Sequence, residues 1–325
     1  MVALLVGAII AYLYYYDRKV PNFKGSFEVY VYPGMSLEEV RDSVIATGSV
    51  VKPRSFGRAM GSVETVAPGH YLLDSTCTSM YAARMFSRGW QTPVNLTLSG
   101  SIRSYRTLAR KVGAQMMVDS AAVAGFCNDS LGKYGLDTLM LFTRIIPDTY
   151  QMLWTASLGS IFERLFKESD AWWTSERLAA ARKQGLTRNQ AITLASIVDG
   201  ETRHVPEQPT IAGVYLNRLH SGMKLQADPT VAYCFGYTLN RILKVHLAVD
   251  SPYNTYKYFG LPPGPISCPP KSCIEAVLHP ASHNYIFFCA DPSFNGSHRF
   301  AATYAEHMNN ARAFQRALTE RQRGK

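Results

Sequence analysis

Cysteine is sparse in this chain, and no two cysteines form a Cys-x-x-Cys pair: the six thiols lie at positions 77, 127, 234, 268, 273 and 289. Zinc and thioredoxin-type spacings are therefore absent, and neither a metal site nor a cofactor is expected. Cys268 and Cys273 could bridge across Pro269-Pro270 in an oxidising compartment. Buried unpaired thiols are the other reading.

Basic runs are missing too. No stretch of five or more Lys/Arg occurs, and no zinc-finger, RRM or helix-turn-helix pattern stands out. The net charge of +10 favours polyanions, but without such motifs nucleic acid is the weaker candidate. It suits acidic lipid head groups or an acidic wall polymer, with plain solubility as the ordinary alternative. Residues 1–16 carry no charged side chain at all. A spanning helix needs about 20 apolar residues, so the stretch is short. Tyr14, Tyr15 and Tyr16 suit a membrane–water interface, however, and Asp17-Arg18-Lys19 closes the segment as a hydrophilic stop. A basic start is lacking, which argues against a cleaved signal peptide. Residues 1–16 are read as a single transmembrane anchor.

What is present reads as α+β. Residues 26–32 alternate and are rich in Val, Tyr and Phe, as a strand would be. Ser36 and Glu39 form a capping box ahead of Leu37, Val40, Val44 and Ile45 on one helix face. A second helix follows Lys52-Pro53, a strand returns at residues 69–73, and a helix over 79–87 ends near Gly89. Beyond a strand at 94–98, the spacing of Tyr105, Leu108, Ala109 and Val112 predicts a helix. Residues 121–135 show no clear period, and one long amphipathic helix is predicted from Leu158 through Trp173 to Ala181. Thr187 and Gln190 are a second capping box, opening a helix with Ile192, Ala195, Ile197 and Val198 on its buried face. Pro209 opens the next helix, which stops at Ser221-Gly222. The remainder reads as Pro- and Gly-rich loops, with a strand at 285–289 and a last helix over about 301–321.

Glu201 is the residue with chemical potential. It follows Ile197 by four positions and Val198 by three, which places its carboxyl beside the apolar face at the helix C-terminus. Desolvation there disfavours the charged form, and the negative end of the helix dipole pushes the same way. A carboxyl kept protonated at neutral pH can donate to a leaving oxygen, as glycosidase acids do. The plainer alternative is an ion pair with Arg203, His204 or Arg218.

The run from Leu194 to Thr202, which contains Asp199-Gly200-Glu201, resembles the motif of the MltG/YceG-like endolytic murein transglycosylases. The resemblance continues at Val214-Tyr215-Leu216-Asn217-Arg218-Leu219 and over residues 222–231, through Gln226, Asp228 and Thr230. It returns at Tyr253-Asn254-Thr255-Tyr256, Gly260-Leu261-Pro262-Pro263-Gly264 and His279-Pro280, with upstream matches at residues 68–71 and 147–150. It implies an anchor (1–16), a LysM-like α+β module (24–93), a connecting α+β segment (94–165) and a YceG-like catalytic domain (166–325).

It further implies that Glu201 is catalytic. One carboxyl would protonate the glycosidic oxygen and then take the proton of the MurNAc C6 hydroxyl, giving 1,6-anhydro ends without a second carboxylate. Asp199 lies about 200° around the helix and cannot share that site. Asn217, Gln226, Asp228, Thr230, Asn254 and Tyr256 are the expected substrate contacts, the amides as hydrogen-bonders and Tyr256 as a stacking ring. Asp228 has two other readings, as a helix cap or as the second carboxylate of a hydrolase. His279 is a hydrogen-bonder of the fold or a catalyst.

Three features depart from the family pattern. Gly200 stands where a longer side chain is usual and is expected to loosen the last helical turn by up to about 1 kcal/mol. Ser267-Cys268-Pro269-Pro270 follows Ile266, and Met308 separates His307 from Asn309. The expected partners are peptidoglycan glycan strands, peptidoglycan synthases and the inner membrane, with the catalytic domain on the periplasmic, wall-facing side. A non-catalytic wall-binding scaffold and a muramidase-type hydrolase are the competing functions.

Overall fold

The computed structural model describes residues 1–323, which fall into two compact units. One comprises Met1–Leu96, Val112–Asp119 and Thr149–Ile161; the other comprises Thr97–Lys111, Ser120–Asp148 and Phe162–Lys325. Both are mixed α and β, and the sheets are small, two strands each.

The first unit opens with helix α1 (Val2–Lys19), followed by β1 (Phe27–Val31), α2 (Leu37–Ala46), α3 (Pro53–Met60), β2 (Gly69–Leu73) and α4 (Ser79–Arg88). β1 and β2 pair antiparallel, with Val29 opposite Tyr71 and Val31 opposite Gly69. Alternation sends Val29 and Val31 into the core and leaves Glu28 and Tyr30 outside. The helices close over that face, so that Val40, Val44, Phe56, Met60 and Phe86 pack with Tyr71 and Leu73. Ser36 and Glu39 form the expected capping box. β3 (Val94–Thr97) pairs with β4 (Thr149–Met152), where the sequence suggested only a turn.

No helix among the described residues is long and apolar enough to cross a membrane. Asp17 is not the solvent-facing stop its neighbours suggested. It is buried, takes Arg58 in a two-pronged ion pair at 2.6 and 3.0 Å, and accepts from Ser55 Oγ at 2.6 Å. The last turn of α1 is thereby tied to α3.

The second unit holds most of α5 (Tyr105–Gly113) and of α7 (Leu158–Trp172), together with α6 (Ser120–Asp129), α8 (Ser175–Lys183), α9 (Arg188–Glu201), α10 (Gln208–His220), α11 (Asp228–Cys234) and α12 (Lys271–Leu278). The antiparallel pair β5 (Phe287–Ala290) and β6 (His298–Ala301) precedes the final helix α13 (Tyr304–Arg323). The helix predicted across residues 158–181 is two helices. Thr174 interrupts it, accepting the backbone N–H of Arg177 and so starting α8 as an N-cap.

α9 is the centre of the second unit. Its residues 191–198 are all buried, and Ile197 and Val198 share a core with Ile211 and Tyr215 of α10 and Ile274 and Val277 of α12. The Thr187/Gln190 capping box fixes its start. Gly200 at its end also has a packing role. A Cβ there would stand 2.5 Å from Cβ of Pro229, so glycine lets α9 and α11 come together. All six cysteines are free.

Candidate active site

Helix α9 ends on Glu201, at the wall of a cavity of about 330 Å³. Tyr215 and Arg218 from α10, Gln226 and Asp228 at the start of α11, and Tyr256 enter from the surrounding segments. Phe287 and Phe288 of β5 with Tyr304 and His307 of α13 complete the lining.

Burial holds the Glu201 carboxyl protonated up to about 7, against an ordinary value of 4.5. The Tyr215 hydroxyl donates to Glu201 Oε1 and works against that rise, the nearby charge of Asp228 adds to it, and Arg218 opposes it. Glu201 forms no ion pair among the described residues, so its pairing alternatives fall away. Arg203 donates to Ser101 Oγ at 2.9 Å. The buried Arg218 guanidinium serves backbone carbonyls, donating to Ile286 O at 2.6 Å and Leu225 O at 2.7 Å. Its nearness to Glu201 is electrostatic, and desolvation lowers its own pKa.

Asp228 is the first residue of α11 and makes no cap bond; Ala227 is the N-cap. Its Oδ1 instead accepts from Tyr256 OH at 2.6 Å, and burial together with that carboxylate keeps the phenol protonated. Gln226 sits at φ +53°, a left-handed conformation unusual for a side-chain-bearing residue, and such strain concentrates at functional sites. His307 stacks on Phe287 with centroids 5.1 Å apart, and its buried Nδ1 has no partner among the described residues. Burial and the Arg218 charge lower its pKa.

The structure thus gathers Glu201, Gln226, Asp228 and Tyr256 around one cavity and leaves three predicted contacts out of it. Thr230 is fully buried, with Oγ1 donating to Ala227 O at 2.7 Å. Asn254 is fully buried as well. Its amide donates to Leu247 O and Val249 O at 2.9 and 2.7 Å, and its Oδ1 accepts from Tyr256 N at 3.0 Å. Asn217 donates to His283 O and Tyr285 O, both at 2.9 Å. These three side chains, two of them buried and Asn217 half-buried, satisfy backbone groups that would otherwise go unpaired. Asp199 accepts from Ser267 Oγ at 3.1 Å and is not part of the lining.

Tyr215, Phe287, Phe288 and Tyr304 line the site without having been singled out by sequence reasoning, which named Arg218 only as an ion-pair alternative and His307 only as a departure from the family pattern. Tyr215 and Arg218 do sit inside the Val-Tyr-Leu-Asn-Arg-Leu run. Nothing in that run tells which side chain meets Glu201.

Comparison with known proteins supplies an independent line. The YceG-like family matches residues 29–313. A protein of Bacillus subtilis (strain 168) named endolytic murein transglycosylase is 37% identical over 161 residues, 50% of this chain and 42% of that protein. One of the same name from Streptococcus pneumoniae serotype 2 is 28% identical over 187 residues, 56% of this chain and 33% of that protein. The matched stretches therefore span less than half the length of these relatives. The crystal structure of a yceG-like protein from Listeria monocytogenes superposes with a TM-score of 0.59 at 25% identity, covering 87% of this chain and 98% of that one.

Proposed function

The chain belongs to the YceG-like family, and from that premise we propose that it is an endolytic lytic transglycosylase of peptidoglycan in which Glu201 alone handles the proton. The neutral carboxyl gives its proton to the glycosidic oxygen between MurNAc and GlcNAc as the C1–O bond breaks. The resulting carboxylate then takes the proton of the C6 hydroxyl, whose oxygen closes on C1. The products are a GlcNAc 4-hydroxyl and a 1,6-anhydroMurNAc end, and Glu201 is again protonated. No water is consumed.

One observation carries this reading: the Glu201 carboxyl lies in an aromatic-walled cavity where burial keeps it substantially protonated near neutrality. The hydrogen bond from Tyr215 occupies Oε1 and leaves Oε2 to present the proton. A group poised near the working pH is suited to act as acid and then as base. Around it, Gln226, Asp228 and Tyr256 are the proposed sugar contacts, with Phe287 and Phe288 as apolar floor. Asn217, Thr230 and Asn254 act indirectly, by shaping the segments that carry those contacts.

A muramidase-type hydrolase is the second reading, and Asp228 in the same cavity is what favours it. Mass spectrometry of digested glycan strands separates the two, because hydrolysis adds a water that anhydro closure does not. We expect anhydro ends from the native chain and none from Glu201→Gln, with unchanged circular dichroism. Reducing ends would select the hydrolase, and anhydro ends from the variant would reject Glu201.

The proposal extends to location. α1 exposes Val2, Leu4, Leu5, Ile9 and Ile10 to solvent, a surface suited to lipid. In this reading the chain is held at the inner membrane by α1, faces the wall, and works beside peptidoglycan synthases on new strands. The strand–helix–helix–strand core of the first unit then serves as its LysM-like module.

A further inference from the structure

Away from Glu201, the second unit carries another groove, of about 690 Å³, with Arg103, Arg106 and Arg110 on its rim. No Asp or Glu lines it, and none of the three guanidinium groups has an ion-pair partner among the described residues. Asp199 feels the charge of Arg103 but turns to Ser267 and stays outside the groove. Three unpaired like charges at one opening repel each other, and an anion relieves that cost.

The groove is also held in shape. Ile102, next to Arg103, is fully buried, and its carbonyl accepts the Cys268 N–H at 2.8 Å. The Arg103 guanidinium lies 4.4 Å from the centroid of the Tyr237 ring. Tyr237 is itself at φ +58°, a strained position for an aromatic residue, and its hydroxyl donates to Ile266 O at 2.6 Å. Arg106 and Arg110 are four residues apart on α5 and so share a face.

Position gives the groove a relation to the catalytic cavity. Helix α11 connects them: Asp228 at its start lines the cavity with Glu201, and Tyr233 near its end lines the groove. Five residues of helix correspond to roughly 8 Å. We propose that this groove is a carboxylate-binding subsite for the acidic peptide carried by the glycan strand. The assignment rests on the peptidoglycan reading above. A peptide on a lactyl group beside the scissile sugar carries carboxylates, and arginine's planar fork takes a carboxylate through two parallel hydrogen bonds. The subsite would favour peptide-bearing strands over bare ones.

The test is binding by the full-length chain carrying Glu201→Gln, which does not consume its ligand. Glycan strands with intact peptides are compared with the same strands after amidase has removed the peptides. Peptide-bearing strands should bind more tightly by on the order of tenfold, as charge-assisted hydrogen bonds of this kind contribute, and the difference should shrink at high salt. Adding Arg106→Gln and Arg110→Gln, both exposed and without an ion pair among the described residues, Arg106 touching the neighbouring Tyr105 hydroxyl at 3.3 Å, should bring the ratio toward one with the fold kept. Arg106→Lys with Arg110→Lys should retain part of it. Equal binding of both strands, or a ratio that survives the Gln pair, overturns the subsite. Turnover is scored separately with the native active site. A lack of anhydro ends there would defeat the transglycosylase reading and leave the binding ratio standing as its own result.

Discussion

At the scale of single residues, the Glu201 carboxyl titrates at about 7, where a free one would titrate at 4.5. Folding must therefore be linked to pH through this group. The folded state holds the proton more tightly than the unfolded chain, so the associated stability is full below pH 4.5 and is lost as pH rises through 7. At about 1.4 kcal/mol for each unit between the two values, the native fold gives up roughly 3 kcal/mol by pH 8. Glu201→Gln removes the titration but keeps the size and the acceptor for Tyr215. Urea denaturation should find the two chains equally stable near pH 4 and the variant ahead by up to about 3 kcal/mol at pH 8. A gap independent of pH would mean that this carboxyl ionises like any exposed glutamate. A gain in stability coupled to a loss of activity is the trade expected of the proposed acid.

Between elements, the contact that fixes the acid is the approach of α9 to α11 at Gly200 and Pro229. A Cβ at Gly200 would meet Pro229 Cβ at 2.5 Å and Cγ at 2.8 Å, and a proline ring has no rotamer to escape into. Alanine is intrinsically the better helix former by about 1 kcal/mol, but overpacking of this kind costs about 1–3 kcal/mol. Gly200→Ala should therefore melt at a lower temperature. It should also lose at least about tenfold in activity, since moving α11 moves Asp228 and a misplacement of an ångström is that costly. A higher melting temperature would show that the helices part freely.

The same helices show how far the sequence could be read. α2 and α9 were legible to their first residue because Ser36/Glu39 and Thr187/Gln190 satisfy backbone donors locally, and local bonds leave local patterns. α11 and α12 read as loops because Pro229 and Pro270 look like breakers, although proline is at home at the start of a helix. Glu201 was legible from the apolar face ahead of it and from the family motif. Tyr215 was not, since its bond to Glu201 exists only once α10 lies along α9. Asn217, Thr230 and Asn254 have the right polar groups for sugar, and only their hydrogen bonds to backbone carbonyls place them in the frame.

On the scale of the whole molecule, the first unit ends in a helix that is bound at one end and apolar at the other. Leu4, Leu5 and Ile10 are 81%, 63% and 61% exposed, whereas Asp17 is locked to Arg58 and Ser55 and the Tyr16 ring lies under Lys52 at 3.9 Å. A cut that removes residues 1–13 therefore takes the exposed apolar turns and spares every one of these ties, so the first unit should keep its fold. Each large aliphatic side chain moved from water into an apolar phase gains about 1.5–3 kcal/mol. Losing several of them should lower partition into vesicles containing anionic lipid by at least on the order of a hundredfold. Release of anhydro ends from soluble glycan fragments should survive the cut, because Glu201 and its cavity lie wholly in the second unit. Flotation with such vesicles checks the first expectation and mass spectrometry of the digested fragments checks the second. Were the shortened chain to float as well as the full one, membrane attachment would have to reside in the basic surface and not in α1.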